Sequence, residues 1–360
     1  MLNYSDRFQD ISAENSFFAG ANTPRGFVGD YSELVSEDTF DKIYLIKGGA
    51  GTGKSTLMRR CGQACAEKGA CITYIKCSSD PDSLDGVIIE KEKRKIAVLD
   101  ATAPHVKDCR YPGACSELVD CGEFWNSLYL EKQRESVIER TKRKSAFYER
   151  AYKYLKAAGE IFDIQQKIGR TVLMRDKMEK AVKRICDPIK ETGENGKENY
   201  RRTQCISMKG AYRLTTFENE AQLYGIKDYS FLAPLFFEIL KDELLQRGFS
   251  IEVSESPLFG ICEIRVVNVG VSFVPYREEK EFCRCINLSR FADAKNAAKV
   301  KQKRIFSTNC LSAMLDGALE SLSEAGKEHF KLEGIYKEAM DFYALEKYTD
   351  DLIRKITDRI

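Results

Sequence analysis

The chain has no apolar run approaching the ~20 residues that span a bilayer, so no membrane-crossing helix and no membrane partner is expected. It carries no excess of one charge: 57 Lys and Arg against 55 Asp and Glu leave +2. A balance this close to neutral gives no global pull toward nucleic acid, and no nucleic-acid partner is expected. No C-x-x-C pair occurs among the 13 cysteines, and their number is odd. A disulfide scaffold is disfavoured, and reduced thiols in a cytoplasmic protein are the expectation. Met1 to Asp6 lacks the basic and then apolar regions of a secretion signal, which points the same way. Cys109, Cys115 and Cys121 follow His105 at even spacing, but the intervals match no common zinc pattern. The guanine-reading signature Asn-Lys-x-Asp is also missing.

What the chain does have is Gly48-Gly49-Ala50-Gly51-Thr52-Gly53-Lys54-Ser55, a phosphate-loop spacing. The strand-like run Lys42-Ile43-Tyr44-Leu45-Ile46 leads in, and the helix-like run from Ser55 to Arg60 leads out. Glycines let successive backbone N–H groups turn toward one centre, and the helix N-terminus adds partial positive charge. Gly48, Gly49, Ala50, Gly51, Thr52, Gly53, Lys54, Ser55 and Thr56 are the expected nucleotide contacts. Lys54 would reach the β- and γ-phosphates, and the Ser55 hydroxyl would join the shell of Mg²⁺.

Downstream, Ile96-Ala97-Val98-Leu99-Asp100 is an apolar run ending in a carboxylate. That is the shape of a Walker B strand buried on both faces, with Asp100 emerging at the carboxyl edge as the second Mg²⁺ contact. Before it, Gly86 to Glu90 reads as a short edge strand. The residue after Asp100 is Ala101, not the Glu that many ATP-hydrolysing proteins place there. Thr102 and His105 are the candidates to sense a γ-phosphate or position water. Asp80, just past the strand Cys71 to Cys77, is a candidate base, with Asp82 beside it. The catalytic candidates are thus Lys54, Asp100, Asp80, Thr102 and His105.

The length suggests about two domains. The expected division is 1–121, a P-loop nucleotide-binding domain; 122–187, a helical arm; 188–200, a linker; 201–288, a degenerate P-loop-like domain; and 289–360, a second helical arm. The first arm carries apolar seams at helical spacing, from Thr141, Ser145, Tyr148, Tyr152 and Leu155 onward, which suggests an antiparallel hairpin or arm. The later sequence repeats the rhythm of the first half. Ile226-Lys227 matches Ile46-Lys47, Asp228 to Pro234 takes the loop register with Pro234 in the lysine's place, and Leu235 to Gln246 follows as a helix. Even Ala157-Ala158-Gly159 recurs as Glu324-Ala325-Gly326, each read as a small-residue break. The fold class expected is α/β: a P-loop NTPase-like parallel sheet with helices on both faces, duplicated, each half followed by a long helical arm.

Four segments carry a family resemblance: Phe18 to Phe27, Cys77 to Gly86, Leu99 to His105, and Tyr111-Pro112-Gly113-Ala114. Together with the loop they resemble a family of uncharacterised bacterial duplicated P-loop ATP-binding proteins, predicted ATPases chiefly of spore-forming Gram-positives and their relatives. The resemblance implies the duplicated fold and ATP as ligand, but no substrate. Three functions stay open at this point. One is a Mg²⁺-dependent ATPase whose arms report a conformational switch to a protein partner. Another is a small-molecule or nucleoside kinase with Asp80 or Asp82 as base and Arg25 or Arg110 as phosphate clamp. The third is an ATP-stabilised scaffold that turns nothing over. A homo-oligomer, in which a neighbour's arginine completes the site, is a further expectation.

Overall fold

The computed structural model describes residues 7–13, 15–190, 196–258 and 260–360. Met1 to Asp6 and the centre of the expected linker, around Gly193, lie outside the described residues. The first half runs β1 (Gln9–Ile11), β2 (Ser16–Phe18), β3 (Gly20–Thr23), β4 (Gly26–Gly29), α1 (Tyr31–Leu34), β5 (Lys42–Lys47) and α2 (Lys54–Glu67). It continues through β6 (Cys71–Lys76), β7 (Leu84–Lys91), β8 (Arg94–Asp100) and β9 (Ser116–Asp120). The first arm is α3 (Ser127–Lys132), α4 (Arg134–Val172) and α5 (Arg175–Cys186). The second half has β10 (Glu198–Tyr200), β11 (Gln204–Ser207), β12 (Gly210–Leu214), β13 (Gln222–Lys227) and α6 (Ala233–Gln246). It closes with β14 (Ile251–Glu255), β15 (Ile261–Val266), β16 (Val271–Pro275) and β17 (Arg284–Asn287), followed by α7 (Ala294–Ala339) and α8 (Phe342–Thr357).

The chain is mixed α/β. Its two six-stranded sheets have the orders β2-β6-β7-β8-β5-β9 and β10-β14-β15-β16-β13-β17. Position by position the pairing sense agrees: parallel, antiparallel, antiparallel, parallel, parallel. Even the irregular register recurs, at Ile75/Lys76 in one sheet and Ser254/Glu255 in the other.

Three expectations are corrected here. The sheets are mixed rather than parallel, because β6-β7-β8 and β14-β15-β16 run as antiparallel meanders. The stretch read as an edge strand, β7, is interior. Val87 and Ile89 face one core and Ile88 the other, so both of its faces need cover. Part of the expected linker is also structured, since Glu198–Tyr200 forms β10 beside β14.

Alternation along the strands decides which side each helix takes. On β5, Tyr44 and Ile46 pack with Leu57, Met58, Cys61 and Cys65 of α2. Ile43 and Leu45 turn to the opposite core with Phe17, Tyr31 and Phe40. That second face is covered by β3-β4 and α1 rather than by long helices, so helices lie chiefly on one face.

The helix beside α2 comes from the far end of the chain. Leu345, Leu352 and Ile356 of α8 are at most 5% exposed in this core. Each such burial contributes about 1.5–3 kcal/mol. The neighbouring Arg60–Asp350 ion pair, at 2.6 Å and with 32% and 54% of its side chains exposed, contributes less than about 1 kcal/mol. The apolar seam, not the ion pair, holds α8 in place. Reciprocally, Met178, Val182 and Ile185 of α5 pack into the core of the second half with α6.

The two arms therefore exchange partners. The 39-residue α4 pairs antiparallel with the 46-residue α7, not with a neighbour in its own arm as a simple hairpin requires. Ala157-Ala158-Gly159 and Glu324-Ala325-Gly326 do not break these helices; both pass through unbroken, with Ala158, Gly159, Ala325 and Gly326 buried. Matching hydrogen bonds pin the crossings: Asn126 N to Ala339 O and Asp293 N to Val172 O, both 2.8 Å. Asp341 N to Phe124 O at 2.7 Å and Met174 N to Phe291 O at 2.8 Å complete the set.

A third sheet, β1-β12-β11, ties the N-terminal strand to the second half. Buried charges lie beneath it. Arg213 is 2.6 Å from Asp10, 3.4 Å from Glu218 and 3.7 Å from Glu263. Burial pushes the Glu263 carboxyl from its ordinary 4.5 up to about 7, and its Oε1 has no hydrogen-bond partner. Between those two values the folded state holds the proton and the unfolded chain does not. Stability therefore falls as pH rises from about 4.5 toward 7, by up to about 1.4 kcal/mol per pH unit. Glu263→Gln should remove that slope in denaturant melts across the window. Equal slopes in variant and parent would contradict it.

Candidate functional site

β5 ends at Lys47 and α2 begins at Lys54, with Gly51 at φ +74° and Gly53 at φ +86° between them. Side chains rarely adopt that region, so these two positions need glycine. Gly53, at the N-cap, offers no side chain, so the first-turn N–H groups of α2 have no capping partner there. An uncapped helix start behind a glycine turn suits an anion.

Most of the expected residues meet here. Lys54 Nζ donates to Gly48 O at 3.0 Å and Gly49 O at 2.6 Å, and lies 3.6 Å from Asp100 Oδ2. Thr102 donates its hydroxyl to Gly48 O at 3.1 Å and its N–H to Asp100 Oδ1 at 2.8 Å. Ser55 Oγ accepts from Leu84 N at 3.0 Å. Thr52 Oγ1 donates to Gly49 O at 3.0 Å, which braces the turn from inside. Ala50 is half-buried in the turn, and Thr56 is exposed on the first turn of α2.

The other candidates sit elsewhere. Asp80 and Asp82 are held by one ammonium group, Lys209 Nζ, at 2.6 and 2.7 Å. Lys209 lies in the β11–β12 turn of the second half, and Met208 N also donates to Ser79 O at 3.0 Å. The hydrogen bond from Lys209 lowers the Asp82 carboxyl below its usual range. His105 is buried in a box of Tyr31, Phe27 and Asp85. Its ring centre is 4.4 Å from that of Tyr31 and 5.2 Å from that of Phe27. Its Nε2 is 3.2 Å from Asp85 Oδ2, which also accepts from the Tyr31 hydroxyl at 2.7 Å. Burial raises the Asp85 carboxyl. Arg110 pairs with Asp38 at the exposed surface, at 3.4 Å.

Residues from the far end of the chain complete the loop's surroundings. A Cβ added at Gly49 would lie 2.8 Å from the Tyr336 ring. At Gly51 it would lie 2.7 Å from Glu333 O, and at Gly53 2.8 Å from Leu345 Cδ2. The last turns of α7 and the start of α8 thus rest directly on the glycine turn. Their sequence separation of nearly three hundred residues leaves no local signal by which they could have been found.

The second half repeats the geometry without the chemistry. Its loop is one residue shorter, so Ala233 opens α6 and takes the lysine's place, with Pro234 one position later. Strand pairing sets Asp100 opposite Ile46, and Pro275 opposite Ile226. Asp228 folds back into the turn, where its Oδ1 accepts from Ala233 N at 2.8 Å, and burial raises its carboxyl. Ser230 and Phe231 take positive φ in the same turn. Gly169 of α4 abuts this turn, where an added Cβ would be 3.1 Å from Ser230 O and Phe231 O. The sequence signal was Asp228 at the first loop position.

All 13 cysteines are free thiols. Among the described residues, no His, Cys, Asp and Glu group gathers as a metal cluster, and no helix is long and apolar enough to cross a membrane. No family model, curated protein or solved structure matches the chain.

Proposed function

We propose that the first half binds ATP with Mg²⁺ at residues 48–56, and that the second arm reads out its state as an ATP-driven switch. One observation carries the reading: the glycines that would line a triphosphate on one side touch Tyr336, Glu333 and Leu345 on the other. Any adjustment of the turn around phosphates is felt at once by α7 and α8, because close-packed contacts transmit sub-ångström shifts.

The residues fit such a group. Lys54 supplies a point charge, the start of α2 supplies donors, and Ser55 and Asp100 would hold Mg²⁺, whose charge would offset that developing on the phosphates. Lys54, which donates to Gly48 O and Gly49 O, would exchange these partners for phosphate oxygens. Thr102 holds Asp100 through its N–H and the loop through its hydroxyl, so it links the metal side to the glycine turn. The matching strand orders support descent of both halves from one duplicated unit, in keeping with the duplicated P-loop ATP-binding family. The kinase reading loses ground because Lys209 already neutralises Asp80 and Asp82.

Asp100→Asn should weaken Mg·ATP binding by about ten- to hundredfold, leave Mg²⁺-free ATP binding nearly unchanged, and abolish single-turnover hydrolysis. Calorimetric titration with and without Mg²⁺ reads the first two. An unchanged Mg²⁺ dependence would remove Asp100 from the metal. Full binding with no hydrolysis even in the parent protein would favour the scaffold.

A further inference from the structure

The connection between β6 and β7, residues 77–83, is gripped from two sides. On one side is α2: Leu84 N donates to Ser55 Oγ at 3.0 Å, and Arg59 donates to Asp82 O at 3.1 Å. On the other is the second half, with Lys209 Nζ on Asp80 and Asp82 and Met208 N on Ser79 O. Bonds within the connection stiffen it. Ser83 N donates to Asp80 O at 2.9 Å, Cys77 N to Ser83 O at 3.1 Å, and Asp82 N to Asp80 Oδ1 at 3.2 Å.

Lys209 stands at the tip of the β11–β12 hairpin, where Ser207 Oγ donates to Gly210 O at 2.8 Å and accepts from Lys209 N at 3.2 Å. The β3–β4 hairpin of the first half is built alike. There Thr23 Oγ1 donates to Gly26 O at 2.8 Å and accepts from Arg25 N at 3.1 Å. Each half thus places a cation at the same position of its hairpin turn. The β11–β12 tip also rests on α7. Lys209 Nζ is 5.7 Å from the centre of the Phe330 ring, and a Cβ added at Gly326 would lie 3.0 Å from Met208 Cβ.

We propose that Lys209 is a positioning residue for the Mg²⁺ ligand Ser55. The second half's cation fixes the connection, the connection fixes Leu84 N, and Leu84 N aims the Ser55 oxygen. The inference rests on Mg·ATP binding by the first half. A hydroxyl oxygen has two lone pairs. Leu84 N occupies one on Ser55, so its place sets the direction of the other, which would face the metal. Asp80 carries more of the coupling than Asp82, because their side chains are 16% and 80% exposed, and exposed ion pairs contribute little. On this reading α7 meets the site twice, at the glycine turn through Glu333 and Tyr336 and at the metal side through the Lys209 hairpin.

The test is calorimetric titration of the full chain with ATP, with and without Mg²⁺. Loss of an outer partner of a metal ligand costs about ten- to hundredfold in metal affinity. Lys209→Met acts at a further remove, so it should cut the gain in ATP affinity on adding Mg²⁺ by about tenfold and leave Mg²⁺-free affinity within about twofold. Lys209→Arg keeps the charge and should keep the gain. Asp80→Asn should reproduce the loss, and should add little to it in the double variant. If Lys209→Met does not fold, Asp80→Asn decides. An unchanged gain in a folded variant, an equal loss with and without Mg²⁺, or a loss in Lys209→Arg as large as in Lys209→Met would overturn the assignment and leave nucleotide binding standing. A parent protein that binds no Mg·ATP would overturn both.

Discussion

Lys54→Ala should lower the affinity for Mg·ATP by at least about a hundredfold, close to 2.7 kcal/mol. The size follows from what the ammonium group does. It reaches Gly48 O, Gly49 O and Asp100 from one position, and no other cation among those described touches the turn's carbonyls. Charge-assisted hydrogen bonds contribute about 1.5–3 kcal/mol each where they are partly buried, and Lys54 and Asp100 are 12% and 14% exposed. Lys54→Arg should not restore binding, since a planar fork cannot replace a compact point charge in a turn this tight. Calorimetry checks both variants, with thermal melting as the fold control. Parent-like affinity in Lys54→Ala would contradict the site.

Gly51→Val should uncouple the second arm from the loop. Its φ of +74° is strained for any side chain, at about 1–3 kcal/mol for a non-glycine residue. The first carbon added would also stand 2.7 Å from a backbone oxygen of α7, which cannot rotate away. The helix end must lift. The expected result is faster backbone hydrogen exchange across Glu333 to Leu345 in the variant, and no further change when Mg·ATP is added. Exchange rates equal to the parent's would mean that the contact carries no coupling.

How much of this was legible in the sequence divides along chain distance. The glycine turn, its strand and its helix are local, and spacing alone places Lys54 beside Asp100 once β8 is assigned. The burial of β8 on both faces was readable for the same reason, as an apolar run ending in Asp100. β7 was misjudged because five residues between charged ones look like an edge. Its interior place comes from antiparallel pairing with β6 and β8, and composition does not encode that. Seams on α4 showed that it packs, but not that its partner is α7. That pairing rests on tertiary contacts: a shared apolar core along both helices, with two backbone hydrogen bonds at each crossing, beside Asn126 and beside Asp293. Lys209, Tyr336 and Glu333 reach the first half only through the tertiary fold. The Asp228 turn was readable as a loop that had lost its glycines, but not as one plugged by its own carboxylate. Seeing that requires the positive φ of Ser230 and Phe231.

The most direct test of the switch is hydrogen exchange on the unmodified protein, with and without Mg·ATP, followed at residues 48–56 and at Glu333 to Leu345. Slower exchange in both segments together is the predicted result. Protection confined to the loop, or none in either segment, would contradict the account.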